Sequence, residues 1–217
     1  MIRLVTFDLD GTTADTIRTI GNCVNMTLRH FDLPQIPESD YPLYVGGGGR
    51  EMFRRVCVHF SLSEDNIPPM FAYFKDLYAA EYLNGTVAFP GIPELLRELR
   101  KRGIHVAVLT NKIQKISEDI VSHLFGDTVE AVIGDAPGVR LKPDPYGLLE
   151  LMRRFGVPAE ECLHVGDCDT DILAARAAGC PVAAVSWGYS AIDKLMALEP
   201  DARIDRPEEI LSLTERL

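Results

Sequence analysis

The sequence predicts an α/β fold: a parallel sheet with helices on both faces, and an all-helical segment inserted after the first strand. Three observations carry this expectation. From Ile92 onward, short apolar runs alternate with stretches whose apolar residues recur at helical spacing. Between residues 16 and 82 only helical spacing is found, with no strand signal among the apolar faces. Glycines (Gly103, Gly134, Gly156 and Gly179) close successive elements of the alternating region. A βαβα order requires crossovers long enough to return each strand parallel to the last, which places helices on the sheet faces.

The elements follow in order. Ile2 to Phe7 is an apolar run that meets acid at Asp8. Ile17, Ile20, Val24, Leu28 and Phe31 share one helical face; Met52, Phe53, Val56 and Phe60 share a second; Phe71, Phe74, Leu77 and Tyr78 share a third. Leu95, Leu96 and Leu99 mark a helix stopped by Gly103, and His105 to Leu109 reads as a strand. Ile113, Ile116, Ile120 and Leu124 give the next helix, and Ala131 to Ile133 the next strand. Leu148, Leu149, Met152 and Phe155 form a helix closed by Gly156. Leu163 to Val165 is a strand, Asp171 to Ala178 an alanine-rich helix, and Val182 to Ser186 a further strand. The expected division is a catalytic core of residues 1–15 and 83–217, with a helical cap of residues 16–82.

Composition narrows the function. The 217 residues are 47% apolar and 25% charged, as in an ordinary globular chain with a sizeable core. The net charge of −10 and the lack of a long basic run argue against nucleic acid and anionic membranes as partners. No apolar stretch approaches a membrane span, and the first apolar run is too short for a signal peptide. The five cysteines form no Cys-x-x-Cys pair, which disfavours a disulfide framework or a zinc site and fits a reducing cytoplasm.

In a doubly wound sheet, ligands bind beyond the carboxyl ends of the strands. Asp8-Leu-Asp10 follows the first strand, Thr110-Asn111-Lys112 the second, Lys142-Pro-Asp-Pro145 trails the third, and Gly166-Asp167-Cys168-Asp169-Thr170-Asp171 follows the fourth. Each has a mundane reading alone: Asp-x-Asp as a turn and cap, Thr110 as a helix cap, Lys142 as a solvated lysine, Gly166-Asp167 as a turn, Asp171 as a dipole partner. Their joint placement, one group per strand end, fits phosphoryl transfer. Asp8 can act as nucleophile, and Asp10, on the same side of an extended segment, as acid and base. Asp167 beside Asp8 offers hard oxygen ligands suited to Mg²⁺. Thr110 and the backbone N–H of Asn111 can hold phosphoryl oxygens, while Lys142 offsets the charge that spreads over them.

These segments carry a family resemblance. Phe7-Asp-Leu-Asp-Gly-Thr12, Leu109-Thr-Asn111, Lys142-Pro-Asp-Pro145, and Val165-Gly-Asp167 with Asp171 are similar to the four motifs of the haloacid dehalogenase superfamily, on its phosphatase side. The likeness runs from residue 2 to about residue 205, nearly the whole chain. It implies a Rossmann-like core with a helical cap inserted after the first motif. It also implies Mg²⁺ bound by Asp8, the backbone carbonyl of Asp10, and Asp167, with Asp171 in support. Within the superfamily, Tyr44-Val-Gly-Gly-Gly-Gly-Arg50, Phe89 to Leu96 and Pro137 to Pro145 resemble the phosphoglycolate phosphatases. Thr13 stands where that pattern has leucine, and Cys168 where it has serine.

The expected activity is therefore a Mg²⁺-dependent phosphomonoester hydrolase working through phospho-Asp8 on 2-phosphoglycolate or a similar small phosphorylated metabolite, in a monomer or homodimer. A sugar phosphomutase or a pyrophosphatase of the same superfamily is the nearest rival. A metal-independent dehalogenase fits the acid cluster poorly. A non-catalytic binding protein on the same fold is the remote alternative. The leaving group would be judged in the cap, where Gly46 to Gly49 permit close backbone approach. Arg50 either contacts a second anionic group there or faces solvent from a flexible turn. Tyr73 and Tyr78 read as packing residues of the third cap helix.

Overall fold

The computed structural model describes residues 1–217. The chain opens with β1 (Leu4–Phe7), buried on both faces, and a loop leading to the two-residue strand β2 (Ala14–Asp15). Three helices follow: α1 (Ile17–His30), α2 (Gly49–His59) and α3 (Ile67–Glu81). Strand β3 (Val87–Ala88) pairs antiparallel with β2, so the helical segment leaves and re-enters through one short ladder. The alternating region then runs through α4 (Ile92–Lys101), β4 (His105–Ile113), α5 (Gln114–Phe125), β5 (Ala131–Asp135) and α6 (Tyr146–Phe155). It ends with β6 (Cys162–Gly166), α7 (Asp169–Ala178), β7 (Val182–Val185), α8 (Ile192–Met196), β8 (Ala202–Ile204) and α9 (Glu209–Arg216).

Six strands form one parallel sheet in the order β5-β4-β1-β6-β7-β8. The α/β expectation holds. The order reverses at β1: the chain moves outward through β4 and β5, then returns to place β6 on the other side of β1. Such a switch point opens a crevice at the carboxyl ends of the strands, and Asp8 lies at its lip.

Two apolar layers hold the sheet. One face packs Val5, Phe7, Val106 and Val108 against α4 and α5; the other packs Leu4, Ala107 and Leu109 against α6 and α7. Strands buried on both faces read as continuous apolar runs, which explains their clear signal in the sequence. In the helical segment, Phe53, Val56, Leu28 and Met70 are fully buried and continuous with the first layer. Truncating Phe53 to alanine would cost about 3–5 kcal/mol by the usual cavity penalty.

Four differences from the sequence reading have simple causes. Strand β4 runs on to Ile113 because Ile113 pairs with Asp135 beyond a register shift, so Thr110, Asn111 and Lys112 lie within the strand's irregular end. Helix α5 accordingly starts at Gln114, and Thr110 does not cap it. The ladder of β2 and β3 and the strand β8 are too short to show an alternating pattern. On α3, Met70 joins Phe74 and Tyr78 as a buried residue, while Phe71 and Leu77 pack on the core partly exposed.

Candidate active site

The loop after β1 is fixed by hydroxyls. Thr13 Oγ1 donates to the Asp8 carbonyl at 2.9 Å, and Thr12 Oγ1 donates to Asp167 Oδ1 at 2.9 Å. Thr13, the departure from the leucine pattern, is fully buried and stitches the turn. Gly11 has φ +83°, and a Cβ there would run into the Asp167 carboxylate. The turn therefore needs glycine both for its left-handed backbone and for space.

Asp8 Oδ1 accepts from the Leu9 N–H at 2.7 Å and faces Lys142 Nζ at 2.9 Å, whereas Oδ2 has no protein partner. Lys142 Nζ also donates to Asp171 Oδ1 at 2.5 Å and to the Leu109 carbonyl at 3.1 Å. Its side chain is 2% exposed. Asn111 holds the backbone of Lys142 at both ends: its amide donates to the Lys142 carbonyl and its Oδ1 accepts from the Lys142 N–H, each at 2.8 Å. The Asn111 side chain thus serves the lysine loop.

Asp171 is occupied on both oxygens. Besides Lys142, Oδ1 meets His164 Nε2 at 3.0 Å, and Oδ2 accepts from the Cys168 N–H at 3.0 Å in a capping box at the start of α7. His164 in turn meets Thr6 Oγ1 through Nδ1 at 2.8 Å, its register partner across β1 and β6. Burial raises the Asp171 carboxyl, but Lys142 and His164 outweigh it and hold the group well below the usual range, at about 2. Burial lowers the His164 pKa against the pull of Asp171.

Asp8, Asp167 and Asp171 offer oxygens that all lie within 4.8 Å of one another. Asp8 and Asp167 are placed differently from Asp171. Burial pushes Asp8 up to about 7 in spite of Lys142. Burial, with the nearby Asp8 and Asp171 charges, pushes Asp167 up to about 8; the Tyr189 N–H, donating to Oδ2 at 2.8 Å, and Thr12 only partly oppose it. Lys142 pairs with Asp8 and Asp171 and no cation pairs with Asp167, so the pair Asp8 and Asp167 has room electrostatically for a further cation. An all-oxygen donor set with no thiolate or imidazole facing it suits Mg²⁺ among the common ions.

Asp10 lies at the mouth. Its carboxylate accepts from Thr16 Oγ1 at 2.7 Å and from Lys112 Nζ at 2.9 and 3.0 Å. The sequence reading gave Lys112 no role. Its signal was parity: two residues beyond Thr110 on an extended segment, it points to the same side. His164, Thr12 and Tyr189 were also missed. A histidine inside an apolar strand run, in register with a threonine, is the only trace His164 leaves in the sequence.

The cleft is closed from the other side by the helical segment. Gly46, Gly47 and Gly48 line it with φ of +106°, +75° and +91°. A Cβ on Gly48 would come within 3.3 Å of the Asn111 carbonyl, so the glycine run lets the loop lie directly on the strand ends. Met52, Phe71, Phe74 and Tyr78 complete that wall. Arg50 is exposed in the first turn of α2 and is not among the lining residues, so the structure does not bring it to the cleft. Thr110, Asn111, Lys142 and Asp167 do line it, together with Asp8 and Asp10. Cys168 lines it too, and burial pushes its thiol pKa well up.

Comparison with known proteins agrees with this fold. The family profile of the haloacid dehalogenase-like hydrolases matches residues 5–185. Phosphoglycolate phosphatase 1 of Pseudomonas aeruginosa is 30% identical over 99% of this chain and 80% of its own. The phosphoglycolate phosphatase of Vibrio parahaemolyticus is 32% identical over 98% and 96%. The crystal structure of a "predicted phosphoglycolate phosphatase" from Haemophilus somnus 129pt superposes with a TM-score of 0.89, at 29% identity and 98% coverage of both chains.

Proposed function

The chain belongs to the haloacid dehalogenase-like hydrolases and is a phosphatase, and from that premise we propose that it hydrolyses small phosphomonoesters, 2-phosphoglycolate foremost, through a phosphoaspartate at Asp8 with Mg²⁺ as cofactor. The observation that carries this reading is the asymmetry of Asp8, which clusters with Asp167 and Asp171: Oδ1 is pinned by Leu9 and Lys142 while Oδ2 is unpartnered. A carboxylate held on one side and open on the other is a nucleophile fixed in orientation.

In the first step Asp8 Oδ2 attacks phosphorus, the ester P–O bond breaks, and Asp10 gives its proton to the leaving oxygen. In the second, water attacks the phosphoaspartate, Asp10 takes its proton, and inorganic phosphate leaves with Asp8 restored. Lys142 and Thr110 would offset and hold the equatorial phosphoryl oxygens, and the Asn111 backbone N–H adds a donor beside them. Thr16 and Lys112 orient Asp10 from the mouth of the cleft. Asp8, the Asp10 carbonyl and Asp167 would hold Mg²⁺, while Asp171, already engaged by Lys142 and His164, supports them. The metal's charge would offset the repulsion between Asp8 and a phosphate dianion. Residues 16–82 would act as a cap that opens at the β2–β3 ladder to admit substrate and closes to exclude bulk water.

A phosphate-release screen tests the reading, with 2-phosphoglycolate, sugar phosphates, nucleotides and pyrophosphate, each with Mg²⁺ and with chelator. Release from 2-phosphoglycolate that needs Mg²⁺ and no bisphosphate activator is the expected result. Absence of release from every monoester would overturn it.

A further inference from the structure

Tyr78 Oη is the one buried side-chain polar atom without a hydrogen-bond partner. The residue is 3% exposed, on α3, and its ring stacks on Phe74 at 5.3 Å. Helical spacing alone marks it as packing. Yet a hydroxyl left bare in an apolar wall is costly, and phenylalanine would pack as well without that cost. Beside it stands Lys112, whose ammonium lies 4.7 Å from the centre of the Tyr78 ring. That side chain is 6% exposed, and its protein acceptors are the two Asp10 oxygens. An ammonium carries three donors, so one N–H remains on the side of the ring and its hydroxyl, near enough for the charge to act on the hydroxyl without forming a hydrogen bond to it.

Both groups line the same cleft as Asp8 and Thr110, and their neighbours on that wall are apolar: Ile20, Met52, Phe71 and Phe74. Two donors, one of them cationic, set among hydrocarbon, define what fits between them. The occupant accepts hydrogen bonds, carries negative charge and is small. Its position is also bounded. Lys112 Nζ is 2.9 Å from Asp10, the group that would protonate the leaving oxygen. The anion therefore sits close to that oxygen, on the carbon that bears it or the next.

We propose that Tyr78 and Lys112 form the subsite for a carboxylate on the leaving group, and that this pair selects phosphate esters of small 2-hydroxy acids over esters of neutral alcohols. The inference rests on the phosphatase reading above and adds to it the residues that choose the substrate. Burial pushes the Tyr78 hydroxyl pKa up to about 12, against the pull of Lys112, so the hydroxyl keeps the proton it donates.

The test compares kcat/KM for 2-phosphoglycolate and 2-hydroxyethyl phosphate, which differ in the carboxylate alone. Wild type prefers the acid. In Tyr78→Phe the ratio of the two falls by about tenfold or more, chiefly through KM for the acid, as expected for losing a hydrogen bond to a charged group. Lys112→Gln lowers the same ratio, whatever it does to turnover of both esters through Asp10. Thermal unfolding supplies an independent readout: Tyr78→Phe melts at or above the wild-type temperature, because the hydroxyl it removes has no partner in the free protein. An unchanged ratio in Tyr78→Phe, with both esters still hydrolysed, overturns the subsite and leaves the phosphatase standing. A drop of several degrees in melting temperature also overturns it, by showing that the hydroxyl is satisfied without ligand. If wild type hydrolyses neither ester, the subsite falls, while the phosphatase reading falls only if every other monoester of the screen fails too.

Discussion

At the sheet edge, the charged side chains around Asp8 are held by one another and by their neighbours. Lys142 is shared by Asp8 and Asp171, Asp171 by His164 and Cys168, and Asp167 by Thr12 and Tyr189. Across the cleft the helical wall is the reverse: Met52, Phe71 and Phe74 offer no polar group, the glycine loop offers backbone, and Tyr78 holds a hydroxyl with nothing to bond. A network with fixed partners pre-sets the geometry of a reaction that is the same for every phosphate ester. A wall with spare capacity is completed only by the part of a substrate that varies. On the proposed reading, the two sides divide chemistry from choice.

That division breaks first, and hardest, at Asp8. Asp8→Asn keeps shape and removes the proposed nucleophile, so turnover is expected to fall on the order of 10⁴-fold or more. The fold survives, and without metal the melting temperature holds or rises, since one of three crowded carboxylates is gone. Steady-state kinetics and a melting curve check both halves; turnover within tenfold of wild type would remove Asp8 from its role. Lys142→Met comes next. Loss of one charge-stabilising donor costs about 10²–10³ in kcat. Here it also strands Asp8 and Asp171 without their shared cation, a loss of about 3–5 kcal/mol as for a broken buried pair, read by urea unfolding.

The edge network also sets a pH dependence that the wall lacks. Asp8 and Asp167 have carboxyl pKa values raised by burial to about 7 and about 8. A group raised on folding lends stability that is complete below its unfolded pKa and is lost as pH rises through the folded one. The metal-free protein therefore loses melting temperature between pH 4 and 8 at these two sites. Asp171, lowered to about 2, contributes in the opposite sense, and its share is lost only in stronger acid. A cation that binds the ionised pair reverses the first loss, so the increment in melting temperature on adding Mg²⁺ grows from pH 5 to pH 8. An increment independent of pH would mean that the ion binds elsewhere.

The two sides were also unequally legible in the sequence. Asp8, Thr110, Lys142 and Asp167 could be named because each follows a short buried strand, and parallel strands gather their ends. Lys112 could not be assigned, because its partner Asp10 is 102 residues away and only the fold brings the two together. His164 depends on the register of β6 against β1, which no apolar pattern encodes. Tyr78 sits where helical periodicity puts core residues, and whether a hydroxyl is satisfied is a fact of three dimensions. The strands β2, β3 and β8 span two or three residues each, below the length at which alternation becomes a signal.

Arginine at the cap loop gives the finest test of the comparison, because two candidates stand five residues apart on α2. Arg50 follows the glycine run directly and carries the charge a second anion would call for. It is nevertheless exposed and outside the lining of the cleft. Arg55 is half-buried and reaches back under the loop, donating through Nη1 to the carbonyls of Tyr44 at 3.3 Å and Val45 at 3.0 Å, while Nε donates to Glu51 at 3.2 Å. It holds the segment from which Gly46 to Gly48 are suspended over the strand ends. Arg55→Ala is expected to loosen that loop and raise KM for 2-phosphoglycolate by about three- to tenfold, the worth of a hydrogen bond or two from a charged donor, with kcat less affected. Arg50→Ala is expected to change KM by less than about twofold, as for a surface residue outside any network. A larger effect at Arg50 than at Arg55 would mean that the cap, in closing, turns α2 far enough to bring Arg50 inward, and the division between the two sides of the cleft would then include a charge that the helical wall here keeps outside.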